Sequence, residues 1–318
     1  NLTSSILVDK KISHTKMSGE VESASELTPE LRVFVEFVAK KGRELYRDLP
    51  WRRTYDPYAI WISEVMLQQT QVSRVDGRWQ RWLERFPTVD ALAAAAPSDV
   101  LEEWQGLGYN RRALSVHRAA QAISEAGGIF PQDSKELVKL PGIGPATAAG
   151  IRAFAFNLHG VYLETNVRTV FLHELYPQAE GVPDSELVPL VELTCPASIA
   201  GAADAAATEL TPRSWYYALL DYGAYLKKTI PNPSRRSKSH VKQTRFEGSH
   251  RQKRAELLRV LLAHKDEGGA VFETLHQELC QIEVNAGRET LDEQVTLGLL
   301  EELAKEGFCQ KNDEYWLP

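Results

Sequence analysis

The chain has 318 residues, of which 43% are hydrophobic and 25% are charged, and its formal net charge is −6. This composition is typical of a globular protein of about two domains, and the acidic balance at first sight disfavours nucleic-acid binding. It has only three cysteines, Cys195, Cys280 and Cys309, and no two of them stand at metal-ligand spacing, which argues against a disulfide framework and against a metal site built from cysteines alone. No apolar run approaches the ~18 residues of a membrane span, so we expect a cytoplasmic protein that does not bind membranes.

The first part of the chain divides into a tail and a helical domain. Residues 1–27 show no hydrophobic period, so we predict a disordered or extraneous N-terminal segment. In residues 28–230 the apolar side chains recur at three- and four-residue spacings, which predicts a mainly α domain, with one of its helices over residues 92–104. Short breaks with proline or glycine separate the helices at distances typical of compact domains.

Glu64 lies in a strongly apolar stretch of this helical domain. It stands in the run AIWISEVML, residues 59–67. A carboxyl group with apolar neighbours tends to stay protonated near neutral pH, which suits a general acid. The exposed glutamate of an ordinary helix is the alternative interpretation of the same residue.

Residues 140–150, LPGIGPATAAG, predict a tight turn between two helices. The first helix is expected to begin near Asp133, because Glu136 stands three residues later at the capping-box spacing. A Gly-x-Gly turn leaves backbone N–H groups free at the start of the second helix, where the helix dipole helps them to bind a DNA phosphate. A turn that uses proline and glycine only for its geometry is the alternative.

A basic segment follows the helical domain. Residues 234–254 contain eight lysine or arginine residues and one acidic residue, so positive charge is concentrated there. We predict a linker or a DNA-contacting loop over residues 231–252, with Arg235, Arg236 and Lys238 as candidate phosphate-binding side chains.

Residues 253–318 predict a second, small domain. Three helices are expected at residues 254–264, 271–280 and 290–306, followed by two short strands around residues 308–310 and 314–317. This order resembles a winged-helix module. From residue 255 onward the chain has 14 acidic and 5 basic residues. Because an acidic surface repels phosphate, we expect a packing or protein-partner role for this domain in preference to DNA binding.

The helical domain resembles one family over roughly residues 30–230. Residues 50–75, PWRRTYDPYAIWISEVMLQQTQVSRV, and the LPGIGPATAAG hairpin are similar to the MutY-type adenine DNA glycosylases of the helix–hairpin–helix superfamily. The resemblance implies a helix–hairpin–helix DNA glycosylase fold with two helical subdomains. It also implies a base excision repair enzyme that binds double-stranded DNA, flips out a purine and hydrolyses its N-glycosidic bond, with adenine in a mispair as the expected substrate.

The resemblance assigns catalytic residues by position. Glu64 matches the general acid of the family. Glu164, in the sequence ETNV, stands where the family has the aspartate of DGNV, so a carboxylate that can stabilise the sugar cation is retained on a side chain one methylene longer. Bifunctional relatives carry a nucleophilic lysine where this chain has Ala146, so we expect base removal without a lyase reaction.

The resemblance further implies residues that hold the opened duplex. Trp51, Arg52 and Asp221 are expected in the base pocket. Gln69 is expected to fill the gap in the duplex, and Tyr109 to act as a wedge beside it. The hairpin residues Gly142, Gly144 and Ala146 are expected at the phosphate contact. A planar side chain in the gap replaces base stacking, which is worth roughly 1–3 kcal/mol.

Two departures from the family concern the cofactor and the lesion. The family usually has four cysteines that hold an iron–sulfur cluster, but here Lys227 occupies the first ligand position and no cysteine follows within 30 residues. We therefore expect no iron–sulfur cluster and no other metal cofactor, although the resemblance allows a monovalent ion at the hairpin. The family also ends in a β-rich domain that reads 8-oxoguanine, and residues 253–318 do not resemble it.

Two other functions fit the same residues. One is a glycosylase of the same fold for another base, either uracil or thymine in a mismatch or an alkylated purine. The other is a DNA-structure-binding protein without catalysis, which the change to Glu164 and the missing cluster would favour. In each case duplex DNA is the expected partner, and the nucleoid is therefore the expected location in the cytoplasm. A protein partner is expected only at the acidic C-terminal domain.

Overall fold

The computed structural model describes residues 27–199, 210–238 and 245–318. Its helices, in chain order, are α1 (Pro29–Glu44), α2 (Pro57–Leu67), α3 (Val72–Val75), α4 (Arg78–Arg85), α5 (Val89–Ala94), α6 (Pro97–Trp104), α7 (Arg111–Glu125), α8 (Ser134–Leu137), α9 (Pro145–Phe156), α10 (Thr165–Leu175), α11 (Asp184–Thr194), α12 (Pro212–Thr229), α13 (His250–Ala263), α14 (Phe272–Asn285) and α15 (Glu293–Glu306). Three short strands, β1 (Ala270–Val271), β2 (Gln310–Asn312) and β3 (Tyr315–Leu317), lie near the C-terminus. The predicted mainly α class is confirmed. The predicted disordered tail lies outside the described residues, except for its last residue.

Side-chain caps explain where several helices begin. The Thr28 hydroxyl accepts a hydrogen bond from the Leu31 N–H at 3.3 Å, and proline follows it at the first helical position of α1. One carboxylate oxygen of Asp133 accepts from the backbone of Lys135 at 2.8 Å and of Glu136 at 3.1 Å, which starts α8. Each cap satisfies N–H groups that the first turn of a helix leaves without partners.

The single helix predicted over residues 92–104 is wrong. The chain forms α5 and α6 there, separated by Ala95 and Ala96, which have extended backbone with ψ of 151° and 141°. Pro97 explains the break, because its ring disfavours helical backbone in the preceding residue and its nitrogen has no hydrogen to donate. Proline is well tolerated at the first position of α6, so a new helix starts at once.

The described residues form two compact units, 27–60 with 144–199 and 210–238, and 61–143 with 245–318. The core of the first unit joins α1, α10 and α12 through aromatic rings. The Phe34 ring lies 5.1 Å from the Phe171 ring and 6.1 Å from that of Trp215, in edge-on arrangements that aromatic pairs prefer. This core fixes the starts of α10 and α12, which carry predicted site residues.

The second unit has its own tryptophan-rich core. The Trp82 ring of α4 lies 5.0 Å from the Phe86 ring and 5.6 Å from the Trp104 ring of α6, and all three side chains are buried. Helix α7 packs beside α5 and α6 through its buried face, which includes Leu114. This unit carries the predicted general acid and the residues expected in the duplex gap.

The C-terminal helices and strands belong to the second unit and have the predicted winged-helix-like order. The sheet is antiparallel with the strand order β1-β3-β2, and Trp316 of β3 pairs with both Ala270 and Lys311. Trp316 is buried, as expected of the central strand. Strand β1 was not predicted, because two residues are too few to show an alternating pattern. Helix α13 begins at His250, earlier than predicted, where the Ser249 hydroxyl caps it.

In the part of the chain that the structure describes, no helix combines the length and the apolar character needed to cross a membrane.

Candidate active site

Glu164 stands at the start of α10 in the first unit. Its Oε1 atom accepts hydrogen bonds from the backbone N–H groups of Asn166 at 2.6 Å and Val167 at 3.1 Å. Aspartate and asparagine are the usual caps of this kind, so the longer glutamate side chain here serves the same purpose. The capping bonds fix the carboxylate in place, and the half-buried side chain cannot turn away without breaking them.

Burial raises the pKa of Glu164 above its ordinary value. The capping N–H groups of Val167 and Asn166 act in the opposite direction, as do the positive charges of Lys227 and Arg168. Lys227 occupies the position where the resembling family has its first cluster ligand. The surroundings of this carboxylate therefore include the charge of Lys227, and the absence of a cluster at that position remains a prediction.

A glycine in the middle of α12 allows this site to form. A Cβ atom on Gly223 would lie 2.3 Å from the Asn166 carbonyl oxygen, which no real side chain tolerates. Helix α12 therefore reaches the first turn of α10 only because residue 223 has no side chain. Sequence reasoning missed Gly223, although an isolated glycine inside an 18-residue helix is a usable signal of close packing.

Two predicted base-pocket residues of the first unit form a buried ion pair. The Arg52 guanidinium donates to both carboxylate oxygens of Asp221, at 2.7 and 2.8 Å, and the two side chains are 1% and 0% exposed. Arg47 adds a third bond to the same carboxylate at 2.5 Å. The structure thus brings Arg52 and Asp221 together, and their contact with a base remains a prediction.

An arginine that sequence reasoning missed holds the turn that carries Trp51. Arg213 of α12 donates to the backbone carbonyls of Arg52 at 2.7 Å, Thr54 at 3.0 Å and, through its other terminal nitrogen, Phe154. Trp51 itself is buried. The 3-10 turn Pro50–Arg52 is therefore fixed by hydrogen bonds from a neighbouring helix.

In the second unit, Glu64 lies on the less buried side of α2. Its neighbours Ile62, Val65 and Met66 are buried, whereas Glu64 is half-buried. The residue is thus neither a fully exposed surface glutamate nor part of the apolar core. A half-buried carboxyl group beside an apolar helix face can still exchange its proton with a ligand.

Gln69 and Tyr109, the residues expected in the duplex gap, share an unusual backbone conformation. Their φ angles are +54° and +50°, in the left-handed region that residues other than glycine rarely adopt. Both side chains are exposed. Strain of this kind costs roughly 1–3 kcal/mol per residue and persists only where the surrounding structure enforces it.

Arg112 of α7 enforces both turns. One terminal nitrogen donates to the carbonyls of Val65 at 2.6 Å and Gln68 at 2.7 Å, and the other donates to those of Leu107 at 3.2 Å and Gly108 at 3.0 Å. Burial lowers the pKa of Arg112 to about 10. A single guanidinium therefore ties together the two loops that present Gln69 and Tyr109. Sequence reasoning missed it.

The hairpin glycines have distinct roles. Gly142 has a φ of +76°, and a Cβ atom there would lie 2.7 Å from the Ser115 side chain, so glycine is required twice over. Gly144 precedes α9 as its N-cap and Ala146 lies in its first turn. Gly142 and Gly144 are exposed, as a phosphate contact through the backbone requires.

Comparison with known proteins agrees with these features. A family model described as "HhH-GPD superfamily base excision DNA repair protein" matches residues 62–211. The adenine DNA glycosylase of Mycolicibacterium smegmatis is 37% identical over 223 residues, which cover 68% of this chain and 75% of that protein. The adenine DNA glycosylase of Mycobacterium tuberculosis strain H37Rv is 36% identical over 234 residues, which cover 69% of this chain and 75% of that protein. The chain belongs to the HhH-GPD superfamily.

A solved structure shows the same fold as this HhH-GPD protein. A thermostable thymine-DNA glycosylase aligns with a TM-score of 0.53 and 22% identity, covering 64% of this chain and 90% of that one. The predicted helix–hairpin–helix fold is confirmed, as is the predicted class of DNA glycosylase in base excision repair, with DNA as its partner. Residues 253–318 lie outside the matched family model.

The basic segment of this HhH-GPD protein is partly structured. Arg236 lies in the 3-10 helix Pro233–Arg236 and donates to the carbonyls of Tyr176 at 2.6 Å, Pro177 at 2.7 Å and Leu172 at 3.0 Å, which closes the end of α10. This structural role was not predicted. Arg235 and Lys238 are exposed, and their contact with phosphate remains a prediction.

All three cysteines are free thiols, so none of them forms a disulfide bond. Cys195 is buried in the first unit, and Cys280 and Cys309 lie in the second, where the Cys309 thiol donates to the Leu300 carbonyl. Over residues 27–199, 210–238 and 245–318, no group of three or more histidine, cysteine or acidic side chains is arranged to hold a metal ion.

Proposed function

We propose that this glycosylase hydrolyses the N-glycosidic bond of adenine in a mispair and leaves an abasic site. Two adenine DNA glycosylases match about two thirds of the chain, which supports adenine as the base. The observation that carries the chemistry is the Glu164 carboxylate, fixed at the start of α10 by two backbone N–H groups. A fixed carboxylate in a poorly solvated place suits the stabilisation of a sugar cation.

In the proposed reaction, Glu64 donates a proton to a ring nitrogen of adenine. The bond between the sugar C1′ and the base then breaks, and its electron pair leaves with the protonated base. The ionised Glu164 stabilises the resulting oxocarbenium ion. Water then attacks C1′ and gives up its proton to Glu164, so that each carboxyl group acts once as an acid or a base.

A buried oxygen next to Glu164 supports the placement of this water. Asn166 Oδ1 is buried and has no hydrogen-bond partner within the described part of the chain. A buried acceptor without a donor costs free energy, and a water molecule removes that cost. The Asn166 N–H already holds Glu164, so one residue would orient both the carboxylate and the water.

The reaction ends with base release. Ala146 has no amine with which to form a Schiff base, so the DNA backbone stays intact. Gln69 and Tyr109 enter the opened duplex on turns held by Arg112, with Trp51, Arg52 and Asp221 around the extruded base and Gly142 and Gly144 at a phosphate.

The enzyme is proposed to work without an iron–sulfur cluster, with at most a monovalent ion at the hairpin. Lys227 cannot supply the thiolate that holds such a cluster, and exposed Arg235 and Lys238 supply positive charge after α12. The place of action would be the cytoplasmic nucleoid. The acidic surface of the C-terminal domain offers a complementary face to a basic protein partner.

Single-turnover base release from a duplex panel tests the proposal. The panel contains adenine opposite guanine, cytosine or 8-oxoguanine, together with uracil, thymine, hypoxanthine and alkylated bases. Glu64→Gln should slow adenine release by roughly 10²–10⁴-fold, as expected for loss of a general acid. Glu84→Gln, on the exposed side of α4, is the control and should leave the rate unchanged.

Each other result selects an alternative. Unchanged release by Glu64→Gln with intact DNA binding would remove the acid assignment. Release of uracil, thymine or an alkylated base in place of adenine would identify a glycosylase of different specificity. Binding of every duplex without any product would identify a DNA-structure-binding protein.

A further inference from the structure

Three exposed side chains of the second unit form a cluster, and the proposed function uses only one of them, Tyr109. Arg251 of α13 lies with its guanidinium carbon 5.9 Å from the centre of the Tyr109 ring and 5.2 Å from that of Phe246. Tyr109 is 41% exposed and Phe246 45% exposed. We call Tyr109, Phe246 and Arg251 the aromatic–arginine cluster. It joins the predicted wedge residue to the C-terminal domain.

A tight turn before α13 holds the Phe246 side of the cluster. The Phe246 carbonyl accepts from the backbone N–H of Ser249 at 3.1 Å and from its hydroxyl at 2.6 Å. The Gly248 N–H donates to the side chain of buried Gln252 at 2.6 Å. These bonds hold the backbone at Phe246 in a defined turn, although its ring remains largely in solvent.

An ion-pair cluster fixes the Tyr109 side to the same helix. Glu306 of α15 binds Arg111, two residues after Tyr109, at 2.8 Å and binds Arg254 of α13 at 2.7 Å. Hydrogen bonds from both arginines lower the pKa of Glu306 to about 2. The carboxylate therefore stays ionised across the physiological range and links the chain next to Tyr109 to α13, the helix that carries Arg251.

The charge around the cluster favours an anionic partner. Arg251 and Lys253 occupy the first turn of α13, which has no acidic residue. The helix dipole disfavours cations at this end, so the stability of the helix does not explain them. Two nearby glutamates are already paired, Glu302 with His250 and Glu247 with Arg288. Although the C-terminal domain as a whole is acidic, the charges of Arg251 and Lys253 can therefore attract phosphate.

We propose that Phe246 and Arg251 bind duplex DNA beside Tyr109, so that the C-terminal domain contacts the substrate. Arg251 meets a backbone phosphate, and the Phe246 ring packs on a base or sugar exposed where the duplex opens. This proposal rests on the proposed function, because it takes Tyr109 as the wedge. Both side chains lie within residues 231–252, expected from the sequence to be a linker or a DNA-contacting loop, and the proposal names the two that meet the duplex.

Equilibrium binding of the full chain to a labelled duplex tests this inference. The duplex carries a central tetrahydrofuran in place of one nucleotide, so it is already opened and cannot be cleaved by base release. Phe246→Ala should weaken binding about tenfold, which is within the range for one lost stacking contact. Phe246→Trp should restore it, whereas Phe246→Leu should not, because only a planar ring can stack.

Salt dependence separates a phosphate contact from a structural effect. Arg251→Ala should weaken binding and reduce the slope of log affinity against log salt by about one. Phe246→Ala should leave that slope unchanged. The matched controls are Arg259→Ala, on a later turn of α13, and Val284→Ala, an exposed apolar residue of α14, and both should bind like the unchanged protein.

The outcomes distinguish the two proposals. If Phe246→Ala and Arg251→Ala bind the duplex as tightly as the unchanged protein, the inference is wrong even though base release continues. If the unchanged protein releases no base but the variants still lose affinity as described, the proposed reaction fails and the binding surface stands. If either variant melts at a lower temperature, Phe246→Leu or Arg251→Gln replaces it in the same assay, with the same loss of binding expected.

Discussion

The two units hold their predicted site residues by different means. In the first, a buried carboxylate and two arginines hold one another, with Asp221 bound by Arg52 and Arg47. In the second, Arg112 donates to five backbone carbonyls in and beside the turns that it organises. A closed ion pair stabilises a single arrangement of helices. An arginine bound to carbonyls stabilises strained turns that must stay exposed in order to meet a ligand.

The largest expected effect comes from opening the closed ion pair. Asp221→Asn removes the charge that compensates two arginines, one of them fully buried. Loss of one partner from a buried pair costs roughly 3–5 kcal/mol of unfolding free energy. Chemical denaturation measures it. Asp48→Asn is the matched control, because its pair with Arg53 is mostly exposed and should leave the free energy of unfolding nearly unchanged.

Removal of Arg112 should have a smaller effect on stability but a wider one on the site. Arg112→Ala leaves several carbonyls without donors, at a cost of roughly 2–3 kcal/mol. Gln69 and Tyr109 should then relax from their left-handed conformations, so duplex binding should fall with stability. Arg112→Lys should rescue little, because an ammonium group cannot reproduce the forked geometry. Arg118→Ala, exposed on the same helix, is the control.

Binding separates two interpretations of Arg112. Affinity for an opened duplex should fall more than tenfold in Arg112→Ala at a temperature where the variant remains folded. A variant that is destabilised but binds the duplex normally would show that the turns keep their shape without this arginine.

The sequence predicted the helical architecture better than it predicted the hydrogen bonds that hold the site residues in place. Periodicity predicted a mainly helical domain and the three C-terminal helices, and the capping-box spacing at Asp133 marked the start of α8. The resemblance also named Gln69 and Tyr109, whose exposed turns agree with their expected roles. Arg112 and Arg213 were missed, because an arginine that binds carbonyls far away in sequence looks locally like any basic helix residue. Their partners depend on tertiary structure, which no local pattern encodes.

Helix packing near Glu164 offers a third test, on the first unit. Gly223→Ala places a methyl group against the Asn166 carbonyl and should displace the first turn of α10, at a cost of about 1–2 kcal/mol. Base release should fall by more than stability alone explains, because Glu164 moves with that turn. Gly298→Ala is the matched control: it lies inside α15 with open space around it, and should stabilise the protein by about 0.5–1 kcal/mol.

The smallest and most specific effect concerns the charge beside Glu164. Burial raises the pKa of Glu164 in the folded protein, so protonation of this carboxylate stabilises the fold. That contribution is lost as the pH rises through the raised pKa. Activity follows the opposite sign, because only the ionised form stabilises a cation. Base release should therefore decline as the pH falls through the same pKa.

Lys227 opposes the effect of burial, since its positive charge lowers the pKa of Glu164. Lys227→Met should raise that pKa further and move the acid side of the pH–rate profile to higher pH, with little change in the rate at its plateau. Lys228→Met, at the exposed neighbouring position, should leave the profile in place. If neither variant moves it, the acid side reports another group. If Lys227→Met alone moves it, the lysine that stands in the place of a cluster ligand tunes the carboxylate that the reaction needs.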